Sequence, residues 1–195
     1  KFREAFEVLS EQASDVLEIP SKIASLPFTD LIELDYFKCI DIHVITALAS
    51  EVLRQTISTE RVEEIIRQRR KSHWYDEFEK YYEAVLYASL FLGSVEAMSI
   101  SISSAEDGID GYLGSWYMVD MYYRKFIHFN RASGKPQFMN ELTERIDSYY
   151  SNKFLLRVND KWQNALDAAG KWGGGPLPMQ KDFYSRYVKP VLEKG

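Results

Sequence analysis

Hydrophobic and polar positions alternate in helical rhythm along most of this chain. The strongest stretch is Ser72 to Gly93, SHWYDEFEKYYEAVLYASLFLG, where Trp74, Phe78, Tyr81, Val85, Ala88 and Leu92 stand 4, 3, 4, 3 and 4 residues apart. That rhythm lines one face of a helix about six turns long. Tyr75, Tyr82, Leu86 and Phe91 widen the stripe past half the circumference, so this helix is expected to be central, with neighbours on two sides. Ser72 is placed to cap its first turn, and Asp76, Glu77 and Glu79 suit the positive end of the helix dipole. Gly93 is the expected stop.

Nearer the N-terminus, Phe2, Phe6, Leu9, Ala13 and Val16 predict a helix from about Lys1 to Glu18, ended by Pro20. Pro27 marks a second break, and Asp30 to Leu34 reads as a short helix or a turn. Ile42, Ile45, Leu48, Ala49, Val52 and Leu53 make the next face, with Asp35 or Asp41 as N-cap. The β-branched run Ile42 to Thr46 also suits a strand, but the rhythm continues too far for one. Ser58 then caps TERVEEIIRQRRK, whose acids come early and whose Arg67, Arg69, Arg70 and Lys71 come late, the order the dipole favours. Val62, Ile65 and Ile66 are its apolar residues, so it is expected to be peripheral.

Past the central stretch, Ser94 to Ser103 reads as a connector, and its SISISS run alternates like an edge strand without a partner. Ser103 and Glu106 have capping-box spacing and open a long helix to about Arg131, with Ile109, Tyr112, Trp116, Val119, Tyr123 and Phe126 on its face. Gly108, Gly111 and Gly114 lie in its first turns, where each costs about 1 kcal/mol against Ala. They signal close helix packing, a kink or a non-helical first segment. After a turn at Ala132 to Lys135, Pro136 suits the start of a helix carrying Met139, Leu142, Ile146 and Tyr149. Leu155, Val158, Trp162, Ala165, Leu166 and Ala169 form the last strong face, closed by Gly170. Lys171 to Gln180, KWGGGPLPMQ, reads as a linker, followed by a short amphipathic piece with Phe183, Tyr184, Tyr187 and Val191 that Pro190 interrupts. The predicted fold is all-α: an irregular bundle of about seven helices over residues 1–170, with a flexible C-terminal tail over 171–195.

Composition sharpens this reading. Rings make up 14% of the chain, mostly at helical spacing, which favours a core built from large aromatics over a ligand-stacking surface. The net charge of -5 argues against nucleic-acid binding by the whole surface, though not by a local patch. A single cysteine, Cys39, excludes an internal disulfide and fits a reducing compartment. No apolar run approaches the roughly 20 residues of a membrane span, and the charged opening KFREAFEVL is not a signal peptide. A first residue Lys1 in place of Met fits a fragment of something longer.

A search for chemistry finds no catalytic constellation. His43, His73 and His128 are far apart in sequence, and no Glu-x-x-His pair exists for a helical di-iron site. Cys39 has no placed partner for nucleophilic work, and no phosphate loop or nucleophile elbow is present. No metal or cofactor is therefore expected to bind this chain. Two basic clusters remain as candidate contacts for nucleic acid or a protein partner. One is Arg67, Arg69, Arg70 and Lys71 with His73. The other is Arg124, Lys125 and Arg131 with His128 and Lys135, interleaved with Tyr122, Tyr123, Phe126 and Phe129. Both sit near helix C-termini, where cations are favoured without any ligand.

The stretch RQRRKSHWYDEFEKYYEAVLYASLF resembles the R-Q-R-R-x-S-H-W-Y-D-E-F signature of type-A PglZ proteins of bacterial BREX phage-defence systems. WYMVDMYYRKFIHFNRASG and LTERIDSYYSNKFLLRVNDKWQ match later stretches of that family in order, so the resemblance runs from about Asp35 to Trp172. It implies a bacterial, cytoplasmic setting and a helical region preceding an alkaline-phosphatase-like domain. That domain, absent here, would carry the divalent metal and the nucleophile, so no catalytic residue transfers to this chain. The expected role is a non-catalytic scaffold coupling an N-terminal region to that domain. Its expected partners are other domains of the same protein and other defence components, with weak DNA contact and no membrane. The alternative is a nucleic-acid contact module using the two basic clusters.

Overall fold

The structure, a computed structural model, describes residues 2–170 and 182–193. Among these residues every regular element is helical and no strand forms, as the spacing predicts. The expected flexible linker at Lys171 to Gln180 lies outside the described residues. The elements are α1 (Phe2–Val16), α2 (Ile19–Ile23), a 3-10 turn at Phe28–Leu31, α3 (Lys38–Arg54), α4 (Thr59–Arg69) and α5 (Tyr75–Ala97). Then come α6 (Ala105–Gly111), a π-helical turn at Tyr112–Trp116 and α7 (Tyr117–Ala132). A 3-10 turn at Gln137–Met139 leads into α8 (Asn140–Ser148), a π segment at Tyr149–Leu155 and α9 (Leu156–Ala169). A π turn at Tyr184–Val188 and α10 (Lys189–Leu192) follow.

The central helix is α5. Tyr82, Ala84, Val85, Ala88 and Phe91 are completely buried on it, and it packs along α7 on one side and against α3 and α4 on another. Trp74, at its N-cap position, is buried as its place in the stripe requires. Gly93 does not stop the helix. Val95 is buried two residues on, and the helix runs to Ala97; that burial outweighs the roughly 1 kcal/mol cost of a helical Gly. Ser72 acts in the preceding turn, where its Oγ accepts the Trp74 N–H at 3.3 Å.

Other expectations shift. Pro20 does not end the first helix; the chain turns earlier, at Glu18 with φ 53°, and Pro20 sits in the first turn of α2. The apolar stripe of α1 does not face the core: Phe2, Leu9 and Val16 are 89%, 65% and 81% exposed. The helix docks instead through Phe6, edge-on to His73 at 4.9 Å, and through Ser10, whose Oγ donates to the Tyr36 carbonyl. Neither Asp35 nor Asp41 caps α3; Phe37 holds the N-cap position and Asp41 is fully buried inside the helix. The capping box at α6 falls one residue later than predicted, on Ser104 and Asp107.

The glycines of the long 105–132 segment serve two ends. A Cβ on Gly108 would lie 1.9 Å from Cε3 of Trp162 on α9, and one on Gly111 would lie 2.6 Å from the Trp116 ring. The bare backbone lets two indoles approach, and the π turn follows directly, so close packing and local irregularity occur together. The last two predicted helices form one helical path from Gln137 to Ala169, interrupted by a π segment at Tyr149–Leu155.

Candidate functional site

The first basic cluster is divided by the fold. Arg69 is not a surface contact: its side chain is 1% exposed, and the expectation that it meets a ligand is corrected here. Counting from Val62 and Ile66, Arg69 takes the next position of α4's buried stripe. Asp41 likewise lies in register with Ile45, Leu48 and Val52 on the buried face of α3. The two meet as a bidentate pair, Arg69 Nε donating to Asp41 Oδ1 at 3.0 Å and Nη2 to Oδ2 at 2.6 Å. Nη1 donates to the carbonyls of Ile32 at 2.9 Å and Leu34 at 2.5 Å, and Nη2 also to Ser72 Oγ at 2.9 Å. All five guanidinium donors are thereby satisfied. Tyr82 on α5 completes the node, donating its hydroxyl to Asp41 Oδ1 at 2.6 Å.

Electrostatics follow from this geometry. Burial works against the Arg69 charge, but the hydrogen bonds and charge of Asp41 outweigh it and hold its pKa above the ordinary value. Burial, then the adjacent Asp41 charge, drives the Tyr82 hydroxyl far above its usual range, so it is a permanent donor. The node ties α3, α4, α5 and the segment after the Phe28–Leu31 turn at one point. The remainder of the cluster is scattered. Arg67 and Lys71 are exposed, Arg70 reaches Glu83 at 3.0 Å and the Tyr75 hydroxyl, and His73 pairs with Glu7 of α1.

The second cluster stays together. Arg124, Lys125, His128, Arg131 and Lys135 are all exposed. Their interleaved aromatics point the other way. Phe126 is fully buried, Phe129 stacks on Tyr87 of α5 at 5.6 Å, and Tyr123 stacks on Tyr150 at 3.7 Å with ring planes 3° apart. The two stacked tyrosines exchange acids across the helices: Tyr123 donates to Asp147 at 3.0 Å, and Tyr150 donates to Asp120 at 2.5 Å. Asp120 also accepts from Arg124 Nε at 2.6 Å. Burial opposes the Asp120 charge, but these two donors prevail and lower its pKa. Burial and the Asp147 bond push Tyr123 up to about 12. A hollow of about 440 Å³ beside this network is lined by Tyr123, Arg124, Ile127, His128 and Arg131.

Among the described residues no group of three or more His, Cys, Asp or Glu is placed to hold a metal ion, and no helix is long and apolar enough to cross a membrane. Cys39 is half-buried, with its Sγ 3.7 Å from Ser14 Oγ.

These features define an all-helical domain whose densest polar constellations, Asp41–Arg69–Tyr82 and the Tyr–Asp ladder, join helices to one another. Comparison with known proteins places it more narrowly. The chain is 27% identical over 199 residues to an alkaline phosphatase-like protein PglZ of Bacillus cereus (strain H3081.97), covering 97% of this chain and 23% of that protein. It is 23% identical over 206 residues to an alkaline phosphatase-like protein BrxZ of Escherichia coli O9:H4 (strain HS), covering 99% of this chain and 24% of the relative. The resemblance read from the RQRRKSHWYDEF stretch is thus borne out, and the chain spans about a quarter of the length of these relatives. No family model and no solved structure matches it.

Proposed function

We propose that this chain is the helical scaffold segment of a PglZ-like phage-defence protein of the bacterial cytoplasm. It couples an N-terminal region to a metal-dependent, alkaline-phosphatase-like domain outside this chain. The observation that carries the reading is the near-complete match of this chain to about a quarter of two alkaline phosphatase-like proteins. The polar groups agree with that role. The Asp41–Arg69 pair and the Tyr123–Asp147 and Tyr150–Asp120 bonds each join separate elements, and rigid joining of elements is what a coupling segment requires. In this reading the divalent metal belongs to the alkaline-phosphatase-like domain outside this chain.

The test has two arms. The purified chain is assayed with divalent metals on a phosphodiester reporter, beside a full-length relative; hydrolysis by the isolated chain contradicts the scaffold role. The chain is then co-expressed with a relative from which the matching quarter has been deleted. Association in trans is expected, and its absence removes the coupling claim.

A further inference from the structure

We propose that the exposed face of α7 is a binding track for single-stranded nucleic acid, with Arg124 and Arg131 on that face, Lys125 flanking it and Lys135 just past the helix end receiving phosphates, and Tyr117 and Tyr112 stacking on bases. This goes beyond the scaffold role and does not depend on it. Tyr117, Arg124, His128 and Arg131 stand at helical offsets of 7, 11 and 14, so they share one face. Tyr117 to Arg131 spans about 21 Å of helix axis, room for a few nucleotides of extended strand. The 440 Å³ hollow between Arg124, His128 and Arg131 is a concave cationic seat on that line. Lys125, Arg131 and Lys135 have no carboxylate partner among the described residues, whereas Arg124 shares its charge with Asp120. The face therefore keeps a net positive charge on a chain that is -5 overall.

The rings decide the kind of nucleic acid. Tyr112, opening the π turn, and Tyr117, just after it, are each 44% exposed where the track begins. An exposed ring beside a cationic groove stacks on an unpaired base, a contact that duplex bases, already stacked on one another, do not offer. The overall negative charge also disfavours the denser polyanion of a duplex. Charge complementarity fixes the occupant as a phosphate chain, and ring exposure fixes it as single-stranded.

The test is fluorescence anisotropy with a labelled oligothymidylate and, in parallel, a labelled hairpin duplex. Binding in the micromolar range at low salt is expected, stronger for the single strand. Neutralisation of about four phosphates predicts log K falling with log salt at a slope of about -2.8. Lys125→Glu with Arg131→Glu should abolish binding, and Tyr117→Ala should weaken it about five-fold or more with the slope unchanged. These side chains are exposed, and circular dichroism checks that each variant folds. Should the charge reversal unfold the chain, Lys125→Gln with Arg131→Gln gives the same reading as a tenfold or greater loss. No binding at low salt, binding indifferent to these cations, or binding indifferent to Tyr117 would overturn the proposal. So would equal affinity for phosphatidylserine vesicles, which marks a general anion surface.

Discussion

The chain uses the same three side-chain types twice, with opposite consequences. Asp41, Arg69 and Tyr82 meet in the interior, where the pair is 0% and 1% exposed. Asp120, Arg124 and Tyr150 make the same pattern of contacts at the surface, where the aspartate is 18% and the arginine 72% exposed. In both, the aspartate accepts from the arginine and from a tyrosine hydroxyl. The difference is water. At the first site each charge depends entirely on protein partners, so every lost bond leaves a stranded group. At the second, solvent replaces whatever is removed, and the arginine stays available to an outside anion. Constellation chemistry alone does not separate an anchor from a contact; burial does.

The largest effect should come from Arg69→Ala. It strands a buried Asp41 carboxylate and the buried Ile32 carbonyl, and breaking such a pair costs about 3–5 kcal/mol. Urea unfolding checks this, and a loss below about 1 kcal/mol would mean that the node is not buried in solution. Tyr82→Phe should cost less, about 1–3 kcal/mol, because Asp41 keeps the bidentate arginine and forfeits one donor. At the surface site, Arg124→Ala should change stability by less than about 1 kcal/mol, and added salt should erase the difference.

A separate effect, seen in pH dependence and not in stability at neutral pH, lies at the stacked tyrosines. The Tyr123 pKa is raised in the fold to about 12 by burial and by its bond to Asp147. Its unfolded value is near 10, so the fold disfavours the ionised ring. The resulting stability is fully present below about pH 10 and is lost as pH rises through about 12. Tyrosinate absorbance should show a delayed ionisation that disappears in Tyr123→Phe, and a titration indifferent to that change would deny the bond to Asp147.

How much of this is legible in the sequence differs between the two regions for the same reason. The helices and the buried Trp74, Phe78 and Val85 stripe follow from apolar spacing, because burial of large side chains repeats with the helical period. The anchor is written in that period too. Asp41 falls in step with Ile45 and Leu48, and Arg69 with Val62 and Ile66, and a charge in register on an apolar stripe signals a buried pair. Read by composition alone, Arg69 joins its neighbours Arg67 and Arg70 as part of a basic run. The exposed stripe of α1 was not legible, because Phe2, Leu9 and Val16 are spaced like core residues, and only the docking of Ser10 and Phe6 shows the helix turned the other way. Nor was the exchange between Tyr123–Asp147 and Tyr150–Asp120, since the pairs join residues 24 and 30 positions apart, beyond the reach of any local periodicity.

The most direct measurement is a pair of double-mutant cycles, Asp41→Ala with Arg69→Ala and Asp120→Ala with Arg124→Ala, read by urea unfolding. A coupling energy of a few kcal/mol is expected for the buried pair and below about 1 kcal/mol for the surface pair. Equal coupling at the two sites, or a buried pair whose single substitutions simply add, would contradict the assignment of Arg69 as the anchor of the fold and Arg124 as a free-facing contact.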